Sequence, residues 1–188
     1  MYSLFLYFFI TKKFKIIGQV DFEAISIFNN NKVPAVCYVA LIATSKLHGE
    51  FSTSPYDFLP HAVKDIKISF GGNSYPDSSG IKVQYGGADS DWLEGYTSLL
   101  HREYLANSSI YQTYASFVTG HALYSFLLSN IGSLTFDHRN RTKSAEGRLN
   151  ITFEAGNDNP NLTCILFTLT DSTAEIDASR IVQKGFIS

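Results

Sequence analysis

Five histidines, His48, His61, His101, His121 and His138, are the residues of this chain best suited to chemistry. Imidazole metal centres use short fixed spacings, because the ligands must converge on one ion. None of the five stands at such a spacing, and neither HExxH nor a His-x-His with a following Glu occurs. His61 and His121 meet only if their strands are neighbours; read singly, each is a hydrogen-bonded loop histidine. Among the carboxylates, Asp89, Asp91 and Glu94 superficially suggest calcium, but a calcium loop needs a longer run of alternating oxygen ligands and a central Gly. Helix capping accounts for them better. Asp171, Glu175 and Asp177 offer a calcium-lectin edge at most, and a polar hairpin turn followed by Glu175-Ile176-Asp177 accounts for them better. Nucleophile elbow, Walker loop and dinucleotide fingerprint are all missing; Gly71-Gly72 and Gly86-Gly87 are turns, since no helix-opening Lys-Ser/Thr follows. No carboxylate pair is singled out for glycoside hydrolysis. The sequence thus nominates no catalytic, cofactor-binding or metal residue and no cofactor, and the chain is read as a non-enzyme.

What remains is a chain built to pack. With 188 residues, 45% hydrophobic and 14% aromatic, it suits one domain with a substantial core rather than a disordered segment. The formal charge is −2, with Lys and Arg scattered, so the basic patch that displaces counterions from nucleic acid is absent and no direct nucleic-acid binding is expected. Cys37 and Cys164 lie in apolar runs and read as buried free thiols, though a disulfide between them stays open at the level of sequence. Asn107, Asn140, Asn150 and Asn161 each open an Asn-x-Ser/Thr triplet, a coincidence to be expected in a chain rich in these residues. The apolar stretch 1–10 is about half the length that spans a bilayer, and Lys12-Lys13 follows it where a signal peptide would carry its charge first. An edge strand or a stray gene start is preferred there to a membrane anchor.

The elements are mostly strands. Ile66, Ile68 and Phe70 alternate with Asp65, Lys67 and Ser69; Ile81, Val83 and Tyr85 with Lys82 and Gln84; Leu149, Ile151 and Phe153 with Asn150, Thr152 and Glu154. Runs 33–42 and 162–169 are apolar throughout, as befits central strands covered on both faces. Turn residues such as Gly71-Gly72-Asn73 and Asn157-Asp158-Asn159-Pro160 separate the segments, so the pattern predicts an antiparallel sandwich or jelly roll. One stretch differs. Asp91, with Glu94 completing a capping box, opens a helix to about residue 105, whose stripe is Trp92, Tyr96, Leu99, Leu100 and Tyr104 or Leu105.

Several blocks, taken in order, resemble a known family. The run 33–42 leads through His48-Gly49 to Ser54-Pro55-Tyr56-Asp57-Phe58-Leu59-Pro60-His61; Gly120–Phe126, Gly147-Arg148-Leu149 and Glu175-Ile176-Asp177 with Arg180 follow. This succession, over about 150 residues, is similar to the C-terminal jelly roll of the double jelly-roll major capsid proteins of Polinton (Maverick) and adintovirus-like elements. In that family an Asn stands where Ser54 does, the histidine of the block comes one residue earlier than His61, and an aromatic is usual in place of His121. These landmarks are turn and packing positions, not catalytic groups.

The resemblance implies an all-β, antiparallel eight-stranded jelly roll with one inserted helix at about 91–105. Residues 1–22 would be an N-terminal arm or atypical first strand, and 23–188 a single jelly-roll domain. It further implies a structural capsid protein that self-assembles as a homotrimer with other capsid subunits, contacts neither nucleic acid nor membrane, and resides in the virion after assembly inside the host cell. The chain has room for one roll where the family has two, which suggests an endogenised or shortened copy. The competing reading is a carbohydrate- or protein-binding β-sandwich using exposed Tyr56, Tyr75 or Trp92; the same aromatics read equally well as packing residues.

Overall fold

A computed structural model describes residues 2–28, 33–47, 54–83, 92–105, 112–128, 145–154, 161–176 and 182–185. The strands are β1 (Tyr2–Ile16), β2 (Asp21–Ile25), β3 (Val36–Ala43), β4 (Val63–Phe70), β5 (Asn73–Tyr75), β6 (Ile81–Lys82), β7 (Leu123–Leu127), β8 (Gly147–Phe153), β9 (Leu162–Ile176) and β10 (Val182–Gly185). The helices are α1 (Thr44–Leu47), α2 (Leu93–Leu105) and α3 (Tyr114–Gly120). Alternation in sequence becomes alternation in burial: along β4, Ile66, Ile68 and Phe70 are buried while Asp65, Lys67 and Ser69 are only half-buried, and β8 follows the same rule.

Two antiparallel sheets result, one ordered β1-β9-β3-β7 with β10 also on β9, the other β2-β8-β4-β5 with β6 also on β4. β5 lies beside residues 68–70 of β4 and β6 beside 65–66, so the two share one position. The pairs are then nested: β1 with β9, β2 with β8, β3 with β7, β4 with β5/β6. Such nesting is what a long hairpin gives when rolled into two facing sheets, and it defines the jelly roll. The ten strands fill eight positions, with β10 as an addition along the outer part of β9.

The apolar runs occupy the middle. β3 lies between β9 and β7, and β9 between β1 and β3. Cys37, Val39 and Leu41 from β3, with Leu162, Cys164 and Leu166 from β9, face Ile66, Ile68, Leu149 and Ile151 of the opposite sheet across the core. The register also closes the disulfide question. Cys37 stands opposite Thr168 and Cys164 opposite Leu41, four residues apart along the strands, or about 13 Å. That is twice the span a disulfide bridges, and both thiols are free and buried.

The inserted helix forms as the stripe predicts, with added detail. Leu99 is buried, and Trp92 and Tyr96 pack against the core, but Leu100 is exposed and Gly95 is buried instead. Asp91 lies outside the described residues, whereas Glu94 accepts the backbone N–H of Lys82 at 3.0 Å and ties the start of α2 to β6. α3 was not legible in the sequence, being shorter than a helix that is stable alone. It takes up Gly120, so the strand expected over Gly120–Phe126 begins at Leu123.

Candidate functional site

Three surfaces can do work in this sandwich: a polar corner, a helical flank and the sheet edges. The corner is built where β3 ends. Ala40 and Ile42, alternating with the core residues of β3, join Ile165 of β9 in a second apolar cluster on the outer face of the β1-β9-β3-β7 sheet. Leu47 of α1 and Phe58 fold over that cluster with Leu123 and Phe167. Phe58 is held by backbone bonds to the start of β7: its N–H donates to the Gly120 carbonyl at 2.8 Å, and its carbonyl accepts from Ala122 N–H at 2.8 Å. Lys46 of α1 makes an ion pair with Asp57, clamping the helix to this segment. Asp57 also explains Gly120, where a Cβ would stand 2.8 Å from the carboxylate oxygen and φ is +155°.

His61 closes the corner before the chain enters β4. Its φ is +51°, a left-handed conformation that histidine adopts more readily than most residues. The ring's Nε2 is buried without a partner among the described residues. Burial first, and the Lys46 ammonium second, hold its pKa down from 6.5 to about 4, outweighing the opposite pull of Asp57. The imidazole is therefore neutral at pH 7. His121, at the other end of the Phe58 bridge, is exposed and its Nδ1 lies 3.2 Å from Ser116 Oγ. The described residues contain no group of three or more histidine, cysteine or acidic side chains able to hold a metal. With Asp57 already neutralised by Lys46, the corner's chemistry is that of a clamp.

The flank is aromatic. Tyr96 of α2 meets Tyr114 and Phe117 of α3 edge-on, at ring distances of 5.5 and 5.9 Å, and Phe117 meets Tyr124 of β7 at 6.0 Å. Tyr96 donates its hydroxyl hydrogen to the Gln112 carbonyl at 2.8 Å. This layer covers the free edge of β7, where the Ser125 N–H reaches Ser98 Oγ of α2 at 3.4 Å. Leu93, Leu100 and Tyr114 are left on its outer surface, 50%, 36% and 38% exposed.

Of the residues weighed for chemistry, His48, His138, Asp89, Asp91 and Asp177 lie outside the described residues, as do the side chains of His101, Asp171 and Glu175. Of the three candidate sugar-stacking aromatics, Trp92 packs on the core and Tyr75 stacks on Phe70 at 4.8 Å, while Tyr56 is 72% exposed. Lys46 and Asp57 were not singled out from the sequence: eleven residues apart in a helix and a turn, they carry no spacing signal.

No protein-family model matches the chain. An uncharacterized protein of Caenorhabditis elegans is 27% identical over 82 residues, which is 44% of this chain and 19% of that protein. A chain in the cryo-EM structure of the Sputnik virophage superposes with a TM-score of 0.54 at 12% identity, covering 100% of this chain and 39% of the virophage chain. The chain therefore spans about a fifth of the worm protein and two fifths of the virophage chain. The likeness in fold runs the full length of the molecule.

Proposed function

We propose that this chain is a capsid-type jelly roll, a structural subunit whose activity is self-association into a viral or transposon shell. The observation that carries the reading is the nested strand order, together with a likeness of fold over the whole chain to a chain in the Sputnik virophage structure. The ordered sequence blocks that resemble Polinton and adintovirus major capsid proteins support it further. On this reading the working form is a homotrimer associating with other capsid subunits, and the place of action is the virion. Assembly takes place inside the host cell, by contacts between sheet flanks, loops and helical surfaces. The exposed apolar residues of the α2–α3 flank suit such a contact. No helix among the described residues is long and apolar enough to cross a membrane.

Light scattering on the eluting peak of a sizing column, beside a glycan array and electron microscopy, tests the proposal. Trimers or larger closed assemblies without sugar binding are expected. A monomer at high concentration with a defined sugar ligand would instead support the binding-module reading, with Tyr56 as the stacking residue.

A further inference from the structure

Among the described strands, every sheet edge but one is covered, short or charged, the added β10 being only four residues long. β7 is covered by α2. β2 is five residues long and presents Asp21 and Glu23 to solvent. β5 and β6 are three and two residues long. Short, charged or covered edges are how sandwiches avoid pairing with other chains. β1 differs over its first ten residues. It is 15 residues long, it pairs only with β9 among the described strands, and Tyr2–Thr11 carries no charge, no proline and no glycine. Both sets of alternate positions in this stretch are largely apolar, Tyr2, Leu4, Leu6 and Phe8 on one and Phe5, Tyr7 and Phe9 on the other. A long edge strand of that composition, with no charge, proline or glycine to interrupt it, is a template for pairing with another chain. β3 accompanies β9 only as far as Leu169, so the outer part of the β1–β9 ribbon runs about seven residues, or some 23 Å, past the end of β3.

We propose that the open edge of β1 pairs with β1 of a second copy, antiparallel about a twofold axis near Leu6, joining two five-stranded sheets into one of ten strands. Charge selects that register. Lys12, Lys13 and Lys15 follow directly on the uncharged stretch. A pair centred near Leu6 keeps the lysines of the two copies at opposite ends, whereas one centred near Lys13 stacks them against each other. The same asymmetry of edges limits growth. With β7 already covered and β10 only four residues long, β1 is the one long open edge of its sheet among the described strands, so this contact joins copies two by two and does not propagate into a fibre. The proposal rests on the strand edges and holds whether or not the dimers go on to build a shell.

Cysteine cross-linking of the full chain decides it. Two cysteines facing each other across the twofold have Cα atoms about 4.5–5.5 Å apart, within reach of a disulfide. The native thiols, Cys37 and Cys164, are buried and do not interfere. Phe5→Cys, Leu6→Cys, Tyr7→Cys and Lys13→Cys are oxidised with a mild copper oxidant at low protein concentration. A linked dimer is expected to peak at Leu6→Cys, roughly tenfold above Lys13→Cys. Leu6→Lys should weaken the dimer by at least about tenfold on a sizing column; should that variant not fold, the cysteine series still decides. A flat cross-linking profile, or a dimer indifferent to Leu6→Lys, overturns the proposal. Trimers without the Leu6 cross-link sink this contact and leave the shell reading standing; cross-linked dimers that build nothing larger do the reverse.

Discussion

Gly147 opens β8 directly under the Phe28 ring, where a Cβ would stand 2.5–2.7 Å from three ring atoms. Phe28 cannot yield easily, because it meets Phe70 edge-on at 5.5 Å and Phe70 is stacked on Tyr75. Gly147→Ala should therefore cost about 1–3 kcal/mol in urea unfolding. In a Phe28→Leu background the same change should cost distinctly less, since the cost is steric. His61 gives a second residue-level prediction. Its folded pKa, about 4, lies below the ordinary 6.5, so the unfolded chain binds the proton first as pH falls. The stabilisation is complete above about pH 6.5 and is lost on the way to pH 4, a total of about 3 kcal/mol. His61→Asn retains a residue that tolerates the left-handed backbone and removes the titration. Its loss of stability between pH 7 and pH 4.5 should be smaller than that of the parent by about 2 kcal/mol. An unchanged slope would locate the acid sensitivity elsewhere.

Helix α2 shows two effects in opposition. Replacing a glycine inside a helix by alanine ordinarily gains about 1 kcal/mol of propensity. At Gly95 the new Cβ would lie 2.9 and 3.2 Å from Tyr124 ring carbons and 3.3 Å from Phe117. Both rings are fully buried and locked edge-to-face. The steric term wins, and Gly95→Ala should destabilise by about 1–2 kcal/mol despite the better helix former. A thermal melt that rises instead would mean that α2 stands off from β7. The sequence marked this helix by its aromatic stripe, yet Leu100, counted in that stripe, is exposed while Gly95 is inside. A helical wheel ranks residues by hydrophobicity, and the closeness of approach required by Tyr124 is a property of the neighbour.

For the molecule as a whole, the two thiols report on cooperativity. Burial pushes Cys164 up to about 12 and Cys37 well above the usual thiol range. Both sit in central strands, so local fraying does not reach them. Alkylation at pH 8 should occur at the rate of global unfolding and accelerate in step with it as urea is added; a fast phase in native buffer would reveal sub-global opening of β3 and β9.

Sequence by itself determined the class of fold and the partition of residues between interior and surface. The period of two in Asp65–Phe70 and Gly147–Phe153, and the apolar runs at 33–42 and 162–169, each reappear as a strand with the expected burial, because side-chain alternation is a local property of extended backbone. Tertiary structure alone decided which strands became neighbours, that Cys37 and Cys164 stand too far apart to join, that Lys46 clamps Asp57, and that β1 carries the long unpaired edge among the described strands. Each of these depends on register and sheet order between segments tens of residues apart. That information lives in how the hairpin rolls up, and no local pattern encodes it.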